Sequence, residues 1–393
     1  MEFVFDLKQN VGAPSIPLIH EGEQIQRGQL LAAKPAGALG TYLYSSIDGK
    51  VKSITETQII IEESNTDFKG NGTVIVNAAE CEPILSHNIE RIEQEPEKIL
   101  KGLKIVMDLV HASRGIVAIK GIHTNAIQSL EKSISDEKVS VFHLENVYPM
   151  GEERALIRET LGILLSPEQL PLEASAIVIN AETLLRIYEA VELKKPLIDK
   201  DMTVAGKLKE DASIHILKDV PIGMKVSDVL AKVGGVGPTY GELIMGGPFT
   251  GKRTSLDAPV VKTTGGIIAA EEFLPAPDKI GLLVCACGAN KERLMEQAAS
   301  MGSEVVGVEY CKQAKELRGN RKCENPGRCP GQVQKVMNLK NAGAKAVLIS
   351  NCTDCTNTVM SCAPQLKLPV YHCTDGALRA VNYKLIRRFH KES

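Results

Sequence analysis

The chain has 393 residues, is 44% hydrophobic and 24% charged, and carries a formal net charge of −2. At roughly 100–200 residues per domain it holds two to four domains with real cores. No apolar run reaches the roughly 18 residues of a transmembrane helix, and the start MEFVFDLKQN has an acidic second residue and no signal-peptide core, so a cytoplasmic protein is expected.

Ten cysteines are the unusual feature. Cys81 stands alone and nine lie between Cys285 and Cys373. In a reducing compartment such clustering points to metal or redox chemistry more than to a disulfide framework. Charge repeats the asymmetry: residues 279–393 hold 18 Lys and Arg against 9 Asp and Glu, and residues 1–278 hold 28 against 39. The basic end reads either as ordinary surface bias or as a face for an acidic partner, the chain's own front half included. Aromatics do not interleave with the basic residues, so no nucleic-acid partner is expected.

In chain order, residues 1–68 read as short strands separated by Gly turns. They resemble the barrel-sandwich hybrid of lipoyl domains. The stretch Pro35–Tyr42, where such domains carry a modified Lys, has none, so an unmodified structural or docking module is expected. Residues 69–200 alternate strands (TVIVNA, GIVAIKG, VSVFHLENV, SAIVIN) with amphipathic segments. One segment carries Ile99, Leu103, Val106, Met107 and Val110 at helical spacing; another starts at Thr124, a suitable N-cap. This is the pattern of βαβ units on a parallel sheet, whose ligands sit at the carboxyl ends of strands. Residues 201–275 hold short strands, Gly-rich turns and one short helix, a small α+β domain. LPAPDK reads as a linker, and residues 279–393 return to strand–helix alternation with a long Cys/Gly/Pro loop between. The expected class is thus α/β multidomain.

Three front motifs carry a resemblance: NAAECEP (77–83), YPMGEERALI (148–157) and INAETL (179–184). In order and spacing they resemble the flavin and nicotinamide subunit of respiratory complex I and the RnfC component of the Rnf electron-transport complex. The 201–275 region, with GGPFTG, is similar to the soluble-ligand-binding β-grasp (SLBB) domain of the same proteins. The resemblance implies FMN and NADH as cofactors, with Asn77 and Glu80 near an isoalloxazine edge, Glu153 in the turn after Gly151, and Asn180 and Thr183 at a helix start suited to phosphate. The family's Gly-rich loop GxGGAGFPT has no counterpart before TVIVNAAECEP, nor do its repeated CxxCxxCxxxCP motifs appear. A scaffold whose Asn and Glu serve only turns and caps is therefore the alternative, with Cys81 a structural thiol.

The last third carries its own chemistry. Cys285 and Cys287 follow the strand GLLV, Cys311 ends EVVGVEY, Cys323 and Cys329 lie in RKCENPGRCPGQ, and Cys352 and Cys355 follow AVLIS. Strand ends of a parallel sheet share one edge, so these seven are expected to converge as metal ligands, with Cys285, Cys287, Cys352 and Cys355 the redox-active set. A thiolate at the helix opened by Cys352 is favoured by free N–H groups. Cys362 and Cys373 read as buried small apolar residues. An iron–sulfur cluster, a redox dithiol and a structural zinc all remain open for the seven.

VCACGA, VGVEYCKQAKELRG, CENPGRCPGQ and LISNCTDCTNTVM resemble the last domain of the proline reductase-associated electron-transfer family. That resemblance spans nearly the whole chain and its domain order. It implies electron delivery to D-proline reductase, or another reductase, in anaerobic amino-acid fermentation, from NADH or a donor protein, in association with a peripheral membrane complex. Some relatives carry selenocysteine where this sequence has Cys. The alternatives are a flavin-dependent NADH oxidoreductase and a non-catalytic docking scaffold with structural zinc.

Overall fold

Alternating apolar residues organise the first 63 residues. The structure, a computed structural model, describes residues 2–9, 11–63, 72–209, 213–317 and 319–387. Two compact units result, Met1–Lys69 and Gly70–Ser393. In the first, strands β1 (Glu2–Asp6), β3 (Gln24–Ile25), β6 (Gly49–Ile54) and β7 (Gln58–Glu63) form one antiparallel sheet, and β2 (Ile16–Pro17), β4 (Leu30–Ala33) and β5 (Leu43–Tyr44) form another. Alternation sends Val51, Ile59 and Ile61 inward to meet Leu31 and Ile25. The boundary expected at residues 68/69, and most of the segment where a Gly-rich loop is missing, lie outside the described residues.

The second unit opens with a parallel sheet of β8 (Thr73–Ala78), β9 (Arg114–Lys120), β10 (Val139–Leu144) and β11 (Ala176–Asn180) in the order β10-β9-β8-β11. Residues of α2 (Pro96–Leu109), α3 (Thr124–Ser133) and α5 (Ala181–Glu192) share one core with the sheet, and those of α4 (Glu153–Leu161) share another. The long amphipathic segment is two helices, α1 (His87–Gln94) and α2, because Pro96 has no N–H to continue the first and suits the first turn of the second. Thr124 is not an N-cap: His123 holds that position and makes no side-chain cap bond. In α2, Gly102 is required by packing, since a Cβ there would stand 2.1 Å from the Leu184 carbonyl oxygen.

A mixed sheet follows, ordered β13-β12-β16-β14-β15 from β12 (Asp199–Gly206), β13 (Ile214–Pro221), β14 (Glu242–Met245), β15 (Lys252–Thr254) and β16 (Gly266–Ala270). Its Met202, Val204 and Ile267 pack with Val226, Val229 and Leu230 of α6 (Val226–Ala231). The last sheet is parallel, ordered β18-β17-β21-β22 from β17 (Lys279–Val284), β18 (Glu304–Tyr310), β21 (Ala346–Ile349) and β22 (Val370–His372). Helix α7 (Lys291–Ser300) packs on one face, and α8 (Val333–Asn341) with α9 (Thr353–Cys362) on the other; α10 (Asp375–Ala380) is the last element among the described residues. Where a long loop was expected, the structure has an antiparallel hairpin of β19 (Ala314–Leu317) and β20 (Asn320–Cys323), so Cys323 ends a strand. Among the described residues, no helix is long and apolar enough to cross a membrane.

Candidate functional site

The order β18-β17-β21-β22 means that the chain leaves β17 in one direction along the sheet and later returns to its other side. The carboxyl ends of β17 and β21 flank that reversal, the place where open α/β sheets hold ligands. Cys285 and Cys287 follow β17, and Cys352 N-caps α9 directly after β21 without a side-chain cap bond. The Cys285 N–H donates to Ser350 Oγ at 3.0 Å and the Cys311 N–H to the Val284 carbonyl at 2.8 Å. Gly288 lets the chain pass this point, since a Cβ there would stand 2.1 Å from the Ser350 carbonyl oxygen.

These backbone ties bring seven sulfurs into one connected set. Cys287 hydrogen-bonds with Cys285 and Cys323. Cys311 does so with Cys285 and Cys355, and Cys329 with Cys355. Cys352 does so with Cys285 and Cys355. All seven are free thiols; Cys287 and Cys329 are half-buried and the other five buried. The contacts split the set electrostatically. Cys352 is held well below the usual thiol range by its hydrogen bond with Cys285 and then Cys355. The hydrogen bond with Cys355, working against burial, lowers Cys329 to about 6, and Cys287 lowers Cys323. In return Cys355 is raised by Cys311, Cys329 and Cys352, and Cys287 by Cys285 and Cys323. A buried set this dense cannot ionise completely without a cation. Its donor chemistry, soft cysteine sulfur throughout, is of the type that ligates iron–sulfur clusters once deprotonated. Among the described residues, no three or more His, Cys, Asp or Glu side chains form a group that could hold a metal ion as they stand.

Two buried amides at this edge carry no periodic signal in the sequence. Gln332 is fully buried, and its Nε2 donates to Cys311 Sγ at 3.1 Å, Cys355 Sγ at 3.5 Å and Cys329 Sγ at 3.7 Å. Asn351, just before Cys352, is fully buried with neither side-chain polar atom partnered. Cys362 and Cys373 are buried; the Cys362 thiol donates to the Val359 carbonyl, and burial pushes Cys373 well above the ordinary thiol range.

The front motifs meet at the carboxyl edge of the first parallel sheet. Asn77 and Asn180 are register partners on β8 and β11, flanking that sheet's own reversal. Their side chains serve local structure: Asn77 donates to the Gly151 carbonyl and accepts from the Ala79 N–H, and Asn180 caps α5 by accepting from the Glu182 N–H. Glu80 accepts from the Asn88 N–H; Glu153 and Thr183 are exposed in the first turns of α4 and α5. Cys81 Sγ accepts from the Gly151 N–H at 2.6 Å. A cavity of about 440 Å³ opens here, lined among others by Glu80, Lys120, His123, Tyr148 and Thr353. Of the five residues expected at a flavin, Glu80 lines it and Asn77, Glu153, Asn180 and Thr183 do not.

This edge is joined directly to the cysteine-rich domain. The Tyr148 N–H donates to Thr353 Oγ1 at 3.0 Å, the Thr353 N–H returns to the Tyr148 carbonyl at 3.2 Å, and the Tyr148 hydroxyl donates to the Cys287 carbonyl. The Tyr148 ring stacks on Phe249, centroids 3.7 Å apart, and Phe249 meets His372 edge-on at 5.2 Å. Glu82 of the NAAECEP run accepts from the Phe249 and Thr250 N–H groups, so it fastens the GGPFTG turn.

Two family models match the front of the chain. Residues 1–80 match the model of the RnfC barrel sandwich hybrid domain, and residues 56–189 that of the Nuo51 FMN-binding domain. The chain is similar to the RnfC-type component of the proton-translocating ferredoxin:NAD(+) oxidoreductase complex of Clostridium ljungdahlii, 27% identical over 67% of this chain and 69% of that one. To the corresponding component of the Na(+)-translocating complex of Acetobacterium woodii it is 26% identical, over 67% and 72%. In these matches the chain resembles RnfC-type proteins. The chain is also 35% identical to the cobalamin reductase PduS of Salmonella typhimurium, over 51% of this chain but only 44% of that protein.

Proposed function

We propose that this chain is an electron-transfer protein in which the seven-cysteine centre is the redox group. The observation that carries the reading is the single connected set of seven thiols at a strand-end reversal. The relatives support it: their names are those of ferredoxin:NAD(+) oxidoreductase components and of a reductase. Bound as an iron–sulfur centre, the set would supply one-electron transfer. Cys285, Cys287, Cys352 and Cys355 would hold its core, and Cys311, Cys323 and Cys329 its flanks. If no iron is bound, Cys352 and Cys355 form a dithiol whose oxidation releases two protons and two electrons as the disulfide forms. We take the acceptor to be a reductase, D-proline reductase first, and the donor to be NADH or a reduced carrier protein. The setting would be the cytoplasm, at the face of a membrane complex.

The test is reconstitution of the full chain, purified anaerobically, with D-proline reductase and each donor. Electron flow to 5-aminovalerate is expected to require the chain and to collapse in Cys352→Ser. Unchanged flow in a folded Cys352→Ser protein contradicts the reading. A second reading, a flavin-dependent NADH oxidoreductase, is favoured by the in-register Asn77 and Asn180. It requires flavin to be released from the purified protein on heating.

A further inference from the structure

Gln332 stands at the N-cap of α8, where Ser, Thr, Asp or Asn would normally bond the helix's free N–H groups. It makes no such bond. Its side chain turns inward instead and is wholly shielded from solvent. There Nε2 reaches sulfurs from three different elements: Cys311 after β18, Cys329 in the loop before α8, and Cys355 in the first turn of α9. Its Oε1 is buried with no partner. Met would fill the same space without stranding a carbonyl. The amide is therefore oriented by the sulfurs, with its Nε2 against them and its carbonyl left unpartnered.

We infer that Gln332 is a positioning residue that raises the reduction potential of the seven-cysteine centre. The inference rests on the electron-transfer reading above. Reduction adds electron density to the sulfurs, and an N–H···S bond favours the form with more of it. The sign is the same for a Cys352–Cys355 dithiol, because the donor to Cys355 Sγ favours the reduced, more electron-rich sulfur over the disulfide. Removing the amide N–H groups therefore moves the potential to more negative values in either case.

The test uses the full-length protein, purified anaerobically, as wild type, Gln332→Met and Gln332→Glu. Iron and sulfide content are measured beside an EPR-monitored redox titration. The expected result is unchanged iron with a more negative midpoint in Gln332→Met, and a further negative shift in Gln332→Glu. An intact centre with the wild-type midpoint in Gln332→Met overturns the inference. If Gln332→Met fails to fold, an unshifted midpoint in Gln332→Glu overturns it. If wild type holds no iron, the cluster form of the electron-transfer reading fails separately. The dithiol equilibrium against dithiothreitol buffers then decides: a negative shift in Gln332→Met supports the inference, and no shift, or no redox-active dithiol, overturns it.

Discussion

At the scale of single residues, the ten cysteines fall into unequal roles. Cys285 contacts Cys287, Cys311 and Cys352, so it is a hub of the sulfur set. Cys362 lies in the core beneath α9, bonded only to its own helix. Cys285→Ala is expected to abolish the chromophore and the redox response of the protein, whereas Cys362→Ala leaves both intact, as read by anaerobic absorption spectra before and after dithionite. The seven were legible in the sequence because each follows a strand or sits in one Gly/Pro-rich stretch, and strand ends of a parallel sheet share an edge. Gln332 was not, because an amide that turns from its cap position to a sulfur leaves no spacing signal. The front motifs show the opposite case. Their order was legible, but a motif residue reads the same whether it faces a ligand or a turn. Asn77, Glu82 and Asn180 bond backbone groups of their own chain.

At the scale of elements, a buried ion network ties α1 and α5 to the hairpin of β12 and β13. Asp201, 1% exposed, takes a bidentate pair from Arg91 at 2.5 and 3.0 Å and approaches Arg186 at 3.2 Å. Burial alone would raise the Asp201 carboxyl, but the hydrogen bond and charge of Arg91 outweigh it and hold the carboxyl at about 2. A carboxyl depressed in the folded state stabilises it above the unfolded pKa of about 4 and loses that contribution as pH falls toward 2. Asp201→Asn removes the carboxylate that two buried guanidinium groups share, leaving Arg91 its bonds to Glu95 and Asp219 and Arg186 its bond to Glu189, and is expected to cost about 1.5–3 kcal/mol at neutral pH. Urea unfolding from pH 2 to 7 should show a flatter acid limb in the variant; a parallel offset at every pH would contradict the assignment. This network joins residues more than 100 positions apart, which no local pattern reveals. The break between α1 and α2, by contrast, is written in Pro96.

At the scale of the molecule, the charge split seen in the sequence has a structural counterpart within the second unit. Arg293 of the basic end pairs with Glu242 of the front, both side chains under 10% exposed. Arg328 approaches Glu159 at 3.3 Å, and Arg158 bonds Asn325 and the Pro326 carbonyl. Part of the basic face is thus spent on the chain's own acidic front, which holds the cysteine edge beside Tyr148 and the cavity. That docking follows from composition only in its sign; which residues meet depends on how three sheets pack. The central claim is that the seven-cysteine edge is a redox centre. Iron and acid-labile sulfide analysis with EPR on the anaerobically purified full chain tests it most directly. The account predicts stoichiometric iron and sulfide with a reversible signal that Cys285→Ala removes. Stoichiometric zinc, or an iron-free protein without a redox-active dithiol, would contradict it.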